Sequence, residues 1–326
     1  MNPYYKYPLL VILALSVIGL AFLIYQKLPE KPPVPIETEE VSPTISTRPA
    51  SGAPTPLPVS HDPAESSKPP LTPPPETPSV TQRNLIKAAR LKLAQTDLLG
   101  ARQLAEQVLK LPGAEAHTPI WGEAAEIISQ VNTTLINGDA PAPEKVRYEV
   151  RSGDNLVTIA RAHNTTVAAL IRGNNTIDRG DATIYPGMVF NIYRGKWTIV
   201  ASKRHFTLTL NDGDRLFKLY HVAIGKEGRT PVGTFKIKNK LREPAWTPPG
   251  KNIPFGDPEN VLGTRWLGIV PTGATDPSLR GYGIHGTWEP QSIGSAASQG
   301  CLRMHNKDVE ELFDIVPVGT PVIIKD

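Results

Sequence analysis

Gly283-Ile284-His285-Gly286-Thr287 and, a short spacer later, Ser298-Gln299-Gly300-Cys301-Leu302-Arg303-Met304 are the stretch from which the rest of the chain is read. Cys301 is the only cysteine in 326 residues, with His285 16 positions before it and Arg303 two after. A thiol reacts as its thiolate, free cysteine titrates at ~8.5, and a neighbouring imidazole lowers that value by forming a thiolate-imidazolium pair. The sequence therefore offers Cys301 as nucleophile and His285 as its base. Gly300 brings the backbone close enough for the amide N–H groups around Gly300 and Cys301 to hold a developing oxyanion, and Gly286 allows a sharp turn beside the base. The bland alternative is a buried, inert cysteine near an unrelated histidine. An unpaired thiol in an exported domain, where oxidation is a hazard, argues for function instead.

The pattern HGT, spacer, SxGCxRM resembles the L,D-transpeptidase catalytic domain of bacterial cell-wall enzymes. Ile224-Gly225, Thr230 to Phe235, Trp246 to Pro249 and Leu262 to Trp266 carry the same likeness, which covers residues 196–326. The resemblance implies that Cys301 attacks the L-to-D peptide bond of a tetrapeptide stem, expels D-alanine and passes the acyl group to an amine. In that scheme His285 is base and then acid, the Gly286 carbonyl orients the imidazole, and the Gly300 backbone supplies the oxyanion hole. Arg303, Ser298, Thr287 and Tyr282 are the expected substrate contacts. Arg303 either binds a stem carboxylate or pairs with an acid such as Asp308. Gln299 stands where some members have histidine, so no second base is expected there. Neither cofactor nor metal is called for.

In order, the catalytic segment alternates like consecutive antiparallel strands: Trp197 to Ser202, Phe206 to Leu210, Leu216 to Ile224, Thr234 to Lys238 and Pro321 to Ile324. One helix is expected near the end, with Asn306 as N-cap and Val309, Leu312 and Phe313 inward. Pro244 to Pro258, with Trp246, has the length and composition of a flap over the site.

Before it lies a compact unit of order strand, helix, helix, strand, in which Ser152-Gly153-Asp154 forms a turn and cap and Thr166 caps the second helix. Gly153-Asp154, Leu156, Ile159-Ala160, Asn174-Asn175 and Pro186-Gly187 resemble a lysin-motif (LysM) module over residues 146–194. That likeness implies a groove for N-acetylglucosamine-containing glycan. Gly153, Asp154, Asn155, Asn175, Thr176, Ile177 and Asp178 are the candidate contacts.

Residues 83–138 read as three helices. Pro112-Gly113 stops the second and Thr118 with Pro119 opens the third. The pattern is weakly tetratricopeptide-like, most of its apolar stripe is core, and a protein-docking role stays open. From Pro29 to Pro78, 16 of 50 residues are proline, a composition that cannot offset chain entropy by burial, so residues 29–82 are expected to be a disordered tether. Residues 8–25 form an uncharged apolar run bracketed by Tyr4, Tyr5, Tyr7 and Tyr25, long enough at ~1.5 Å per residue to cross a ~30 Å hydrocarbon core. Residues 1–28 are thus expected to be an uncleaved inner-membrane anchor, a cleaved signal peptide being the rival.

A net charge of +4 without a dense basic block excludes nucleic acid as a partner class. The expected whole is a multidomain envelope protein: transmembrane helix, Pro-rich linker, three-helix segment, βααβ LysM module and mainly-β catalytic domain. Its partners are stem peptides and glycan strands. An L,D-carboxypeptidase, a non-catalytic wall tether, a papain-like peptidase and a zinc site of Cys301, His285 and His305 are the alternatives. Cysteine following histidine counts against the papain order, and the ligand spacing against zinc.

Overall fold

The computed structural model describes residues 77–178 and 180–326. The expected anchor and all but the end of the proline-rich segment lie outside them. No helix among the described residues is long and apolar enough to cross a membrane.

Three helices come first, α1 (Val80–Ala94), α2 (Leu98–Val108) and α3 (Pro119–Ile136). The start of α1 is sharp because Ser79 and Gln82 form a reciprocal capping box, three residues earlier than the sequence pattern implies. Asp97 caps α2 and Thr118 caps α3, with Pro119 in the first turn where its missing N–H costs nothing. Ile86, Ala89, Ala101, Ala105, Ile120, Ile128 and Leu135 fill the space between them.

The next module is β1 (Lys145–Glu149), α4 (Leu156–Ala162), α5 (Val167–Arg172) and β2 (Val189–Tyr193), with β1 and β2 antiparallel. Asn155, not Asp154, caps α4 through a capping box with Thr158. The Asp154 carboxylate instead accepts the Tyr148 hydroxyl at 2.6 Å and the Arg151 N–H at 2.8 Å, which closes the turn. Thr166 caps α5 as expected.

The remaining chain forms β3 (Trp197–Ser202), β4 (Thr207–Asp212), β5 (Arg215–His221), β6 (Ile224–Gly225), β7 (Gly233–Arg242), β8 (Arg265–Pro271), β9 (Gly283–His285), β10 (Ala296–Ser298), β11 (Leu302–Arg303), α6 (Asn306–Ile315) and β12 (Pro321–Lys325). Eight strands make one sheet in the order β11-β9-β8-β7-β12-β3-β4-β5, while β6 and β10 pair separately. The eight-stranded sheet is mixed rather than wholly antiparallel, since β12 runs parallel to β3 and β11 to β9, and the separate β6–β10 pair is parallel too. Alternation along each strand specifies which side chains face inward but not which strand lies alongside, so these parallel pairs are products of tertiary packing. Leu208, Leu210, Phe217, Phe235, Leu267, Ile284, Leu312 and Val322 belong to one buried core.

The modules are locked together by buried polar contacts. Strand β5 is a sheet edge, and α3 covers it: the Ser129 hydroxyl accepts the Leu219 N–H at 3.0 Å, and the Asn132 amide donates to the Phe217 carbonyl at 2.9 Å. Those two side chains satisfy backbone groups that would otherwise template aggregation. Arg102 donates to Asn132 at 3.0 Å and to Glu144 at 3.0 Å, and Glu144 also receives Arg215 at 2.8 Å, so one carboxylate ties the helical segment to the sheet. The β1–α4–α5–β2 module docks on both neighbours: Arg172 reaches Asp314 at 3.3 Å, Thr166 donates to the Asp314 carbonyl, and Asn175 donates to Asp139 at 2.7 Å.

Candidate active site

Cys301 and His285 come to line one cleft because β9 and β11 pair in parallel. The register places Arg303 opposite His285 and Leu302 opposite Ile284, so side chains of one parity share a face. Cys301, two residues before Arg303, therefore lines the same cleft as His285 and Arg303. This cleft has a volume of about 320 Å³, and Trp246 and Leu262 wall it on the flap side.

The flap itself is stapled. Trp246 and Ile253 exchange backbone hydrogen bonds at 2.8 Å across it. The buried amide of Asn260 donates to the Pro244, Ile253 and Pro254 carbonyls, while its oxygen accepts the Leu262 N–H.

The imidazole is held on three sides. Its Nδ1 lies 2.7 Å from the Gly286 carbonyl. A carbonyl can only accept, so Nδ1 must carry the proton, and Nε2 is left as the basic nitrogen. Trp266 stacks on the ring at 5.9 Å between centroids, and Gly283 beneath it leaves room for the indole: a Cβ there would sit 2.5 Å from Cη2. His285 is 3% exposed, and burial pushes its pKa down to about 4. The Arg303 charge acts in the same direction, against the Gly286 and Leu262 carbonyls, which favour the protonated ring.

Burial likewise pushes the Cys301 thiol above its usual value, opposed by a Gly283 backbone contact and by the Arg303 charge. The thiol points at the Gly281 carbonyl at 3.8 Å, and no hydrogen bond among the described residues joins it to the imidazole. Burial thus works against the preformed thiolate-imidazolium pair expected from the sequence, favouring the neutral form of each group. Both desolvation effects oppose charge.

Around Cys301 the backbone is tightly braced. Thr230 accepts the Gly225 N–H at 2.7 Å and donates to the Gly300 carbonyl at 2.8 Å. Gly300 has φ +142°, and a Cβ on it would meet the Tyr282 ring at 2.8 Å, so only glycine fits. The Ser298 hydroxyl donates to the Cys301 carbonyl at 2.7 Å and accepts the Gly300 N–H at 3.1 Å. Of the two amides expected to face an oxyanion, that of Gly300 is therefore already engaged. Among the described residues no hydrogen bond uses the Cys301 N–H, which stays available to a substrate oxygen.

Other expected residues fall differently. Tyr282 and Ser298 line the cleft. Thr287 does not: its hydroxyl accepts the Glu289 N–H at 3.0 Å, and it lines a separate cavity with Trp288 and His305. Arg303 pairs with Glu289 at 2.8 Å rather than Asp308, leaving its Nε buried without a partner. Asn306 is not the helix cap. His305 holds that position, and the Asn306 oxygen accepts the Thr264 N–H at 3.3 Å and the Thr287 N–H at 3.0 Å. Sequence reading also missed Arg280, an exposed cation at the cleft mouth. No set of three or more His, Cys, Asp or Glu side chains among the described residues could hold a metal ion.

Of the candidate glycan contacts, Gly153, Asn155, Asn175, Thr176 and Asp178 are exposed and Asp154 is partly so. Ile177 is not: it is 2% exposed and belongs to the module core, because an isoleucine side chain gains more from burial than a polar groove offers it.

Comparison with known proteins follows this geometry. A family model of the L,D-transpeptidase catalytic domain matches residues 196–324, and a LysM domain model matches residues 148–192. The L,D-transpeptidase YkuD of Bacillus subtilis is 39% identical over 182 residues, 54% of this chain and 97% of that protein. YqjB of the same organism, also named an L,D-transpeptidase, is 41% identical over 129 residues, 39% of this chain and 70% of that protein. Among solved structures, L,D-transpeptidase 3 from Mycobacterium tuberculosis with a faropenem-derived adduct is 20% identical, covering 43% of this chain and 64% of that chain with a TM-score of 0.34, a likeness too slight to add to the sequence matches.

Proposed function

Because this chain belongs to the L,D-transpeptidase family, we propose that its peptidoglycan chemistry runs through Cys301 as nucleophile and His285 as base. The observation that carries the reading is the shared face of β9 and β11, on which thiol, imidazole and guanidinium line one cleft under the Trp246 flap. The protein is a peptidoglycan L,D-transpeptidase of the cell envelope, with a LysM domain beside the catalytic domain.

The steps follow from the resting electrostatics. Nε2 of neutral His285 takes the thiol proton as Sγ attacks the carbonyl of the stem's L-to-D bond, so charge separation arises only with substrate in the cleft and water displaced. The Cys301 N–H then holds the oxyanion, and the imidazolium returns its proton to the departing D-alanine amine. An incoming amine repeats the sequence in reverse and resolves the acyl-enzyme. Arg303 acts mainly as a buried positive charge that favours the thiolate and intermediate, its direct partner being Glu289. Tyr282 and Ser298 shape the floor around Gly300.

The LysM domain holds the glycan through Gly153, Asp154, Asn155, Asn175, Thr176 and Asp178, while Ile177 supports that surface from beneath. Residues 1–28 anchor the chain in the inner membrane, and the proline-rich segment that ends before the Ser79 cap tethers it. The docking of the glycan module on α6 through Asp314 supports delivery of substrate at a set orientation. Mass spectrometry of muropeptides incubated with the purified protein, beside a Cys301→Ala control, tests the reading. Cross-linked or exchanged stems with wild type alone support it. Stems shortened by D-alanine without transfer would assign a carboxypeptidase, and no change together with no covalent labelling by a carbapenem would leave a glycan-binding tether.

A further inference from the structure

A hydrogen-bonded path leads from α6 to the base through a single peptide unit. The Gly286 carbonyl that receives the His285 Nδ1–H at 2.7 Å and the Thr287 N–H that is donated to Asn306 Oδ1 at 3.0 Å belong to the same plane. With a trans peptide the two groups point in opposite directions, so the imidazole lies on one side of the plane and Asn306 on the other. We propose that Asn306 is a positioning residue for the His285 base, holding the Gly286-Thr287 peptide in the orientation that keeps Nδ1 protonated and Nε2 free. The inference rests on His285 being the base.

Three further observations carry it. Asn306 Oδ1 also accepts the Thr264 N–H at 3.3 Å, so the same atom fixes the loop that follows Leu262, whose carbonyl faces the imidazole. The two glycines beside it are there to let that oxygen approach: a Cβ at Gly286 would sit 2.0 Å from Oδ1, and one at Gly263, where φ is +63°, 2.3 Å from it. Val309, Leu312 and Ile315 bury α6 in the catalytic core, so Asn306 starts from a rigid support.

The physical effect is orientation plus polarisation. Donating the Thr287 N–H into an acceptor makes the Gly286 carbonyl at the other end of that amide a stronger acceptor for Nδ1–H. An Asn-peptide-His chain thereby does the work that a carboxylate does beside histidine in other nucleophilic sites, without placing a negative charge next to a desolvated ring. Losing the plane frees the carbonyl to rotate, and the imidazole gains access to the unproductive tautomer.

Wild type, Asn306→Ala, Asn306→Asp and His285→Gln are compared on a tetrapeptide donor, with kcat and KM measured separately and the ring nitrogens of His285 read by 15N NMR, the glutamine variant assigning the signal. Asn306→Ala is expected to lower kcat about 100-fold with KM little changed, as for a displaced catalytic group. It should also populate the Nε2–H tautomer. Asn306→Asp keeps an acceptor oxygen in place and should restore most of kcat and the Nδ1–H signal. Should the alanine variant not fold, Asn306→Gln, which moves the acceptor by one methylene, carries the same two readouts. An alanine or glutamine variant with full kcat, or one whose loss comes with an unchanged tautomer and no recovery in the aspartate variant, overturns the proposal. An active His285→Gln overturns instead the reading of His285 as base.

Discussion

Acidification should destabilise this fold through His285, and the size of the effect follows from its burial. A histidine titrates near 6.5 in the unfolded chain, whereas burial holds it at about 4 in the folded protein. Its folded pKa is depressed, so between those values the unfolded state binds the extra proton and stability rises with pH. The contribution is complete above the unfolded value and is lost as pH falls towards the folded one. From pH 7 to pH 4.5 the linkage amounts to roughly 2–3 kcal/mol, using ~1.36 kcal/mol per pKa unit. Carboxylates and the other histidines add their own acid dependence, which cancels against a His285→Gln variant. Urea unfolding of both proteins at the two pH values isolates the effect: the wild type should lose roughly 2–3 kcal/mol more than the variant. Equal losses would mean that the imidazole is neither buried nor neutral in the folded state, and the neutral resting pair would fall with it.

Further consequences are open to measurement. Ser298→Ala removes the donor to the Cys301 carbonyl and the acceptor of the Gly300 N–H, and is expected to cost about 1–3 kcal/mol in chemical denaturation and to slow acylation by a carbapenem. Gly286→Ala brings a methyl within 2.0 Å of Asn306 Oδ1, so acyl-enzyme formation followed by mass spectrometry should fall steeply. Ser129→Ala uncovers the Leu219 amide at the sheet edge, and hydrogen exchange there should accelerate by the equivalent of about 1–2 kcal/mol, with exchange in β7 and β8 unchanged. Alkylation of resting Cys301 by iodoacetamide should continue to gain rate with pH beyond the range of a free thiol, because burial raises its pKa.

The strand and helix content was legible wherever a local physical rule decides it. Thr118-Pro119 and Thr166 act as helix starts because a β-hydroxyl or a missing N–H suits those positions in any context. Thr230 and Gly225 stand out in the sequence, and their spacing to Gly300 makes sense once one hydroxyl is seen bridging both backbones. Asn306 and Asp154 were misread for one reason: each is a good cap by type, yet each is drawn to a nearer backbone or hydroxyl partner supplied by folding. The face presented by Ile177 and the partner of Arg303 depended on neighbours far along the chain, which no local pattern reports.

By itself the sequence pointed to the modules, to Cys301 and His285 as the candidate nucleophile and base, and to glycines at close backbone approaches, since composition, spacing and residue chemistry are local properties. Only the tertiary structure decided the charge state of that pair, the amide left free for an oxyanion, and the support behind the imidazole. Those depend on desolvation and on hydrogen bonds across parallel strands and a distant helix, quantities that exist only once the chain has excluded water from around them.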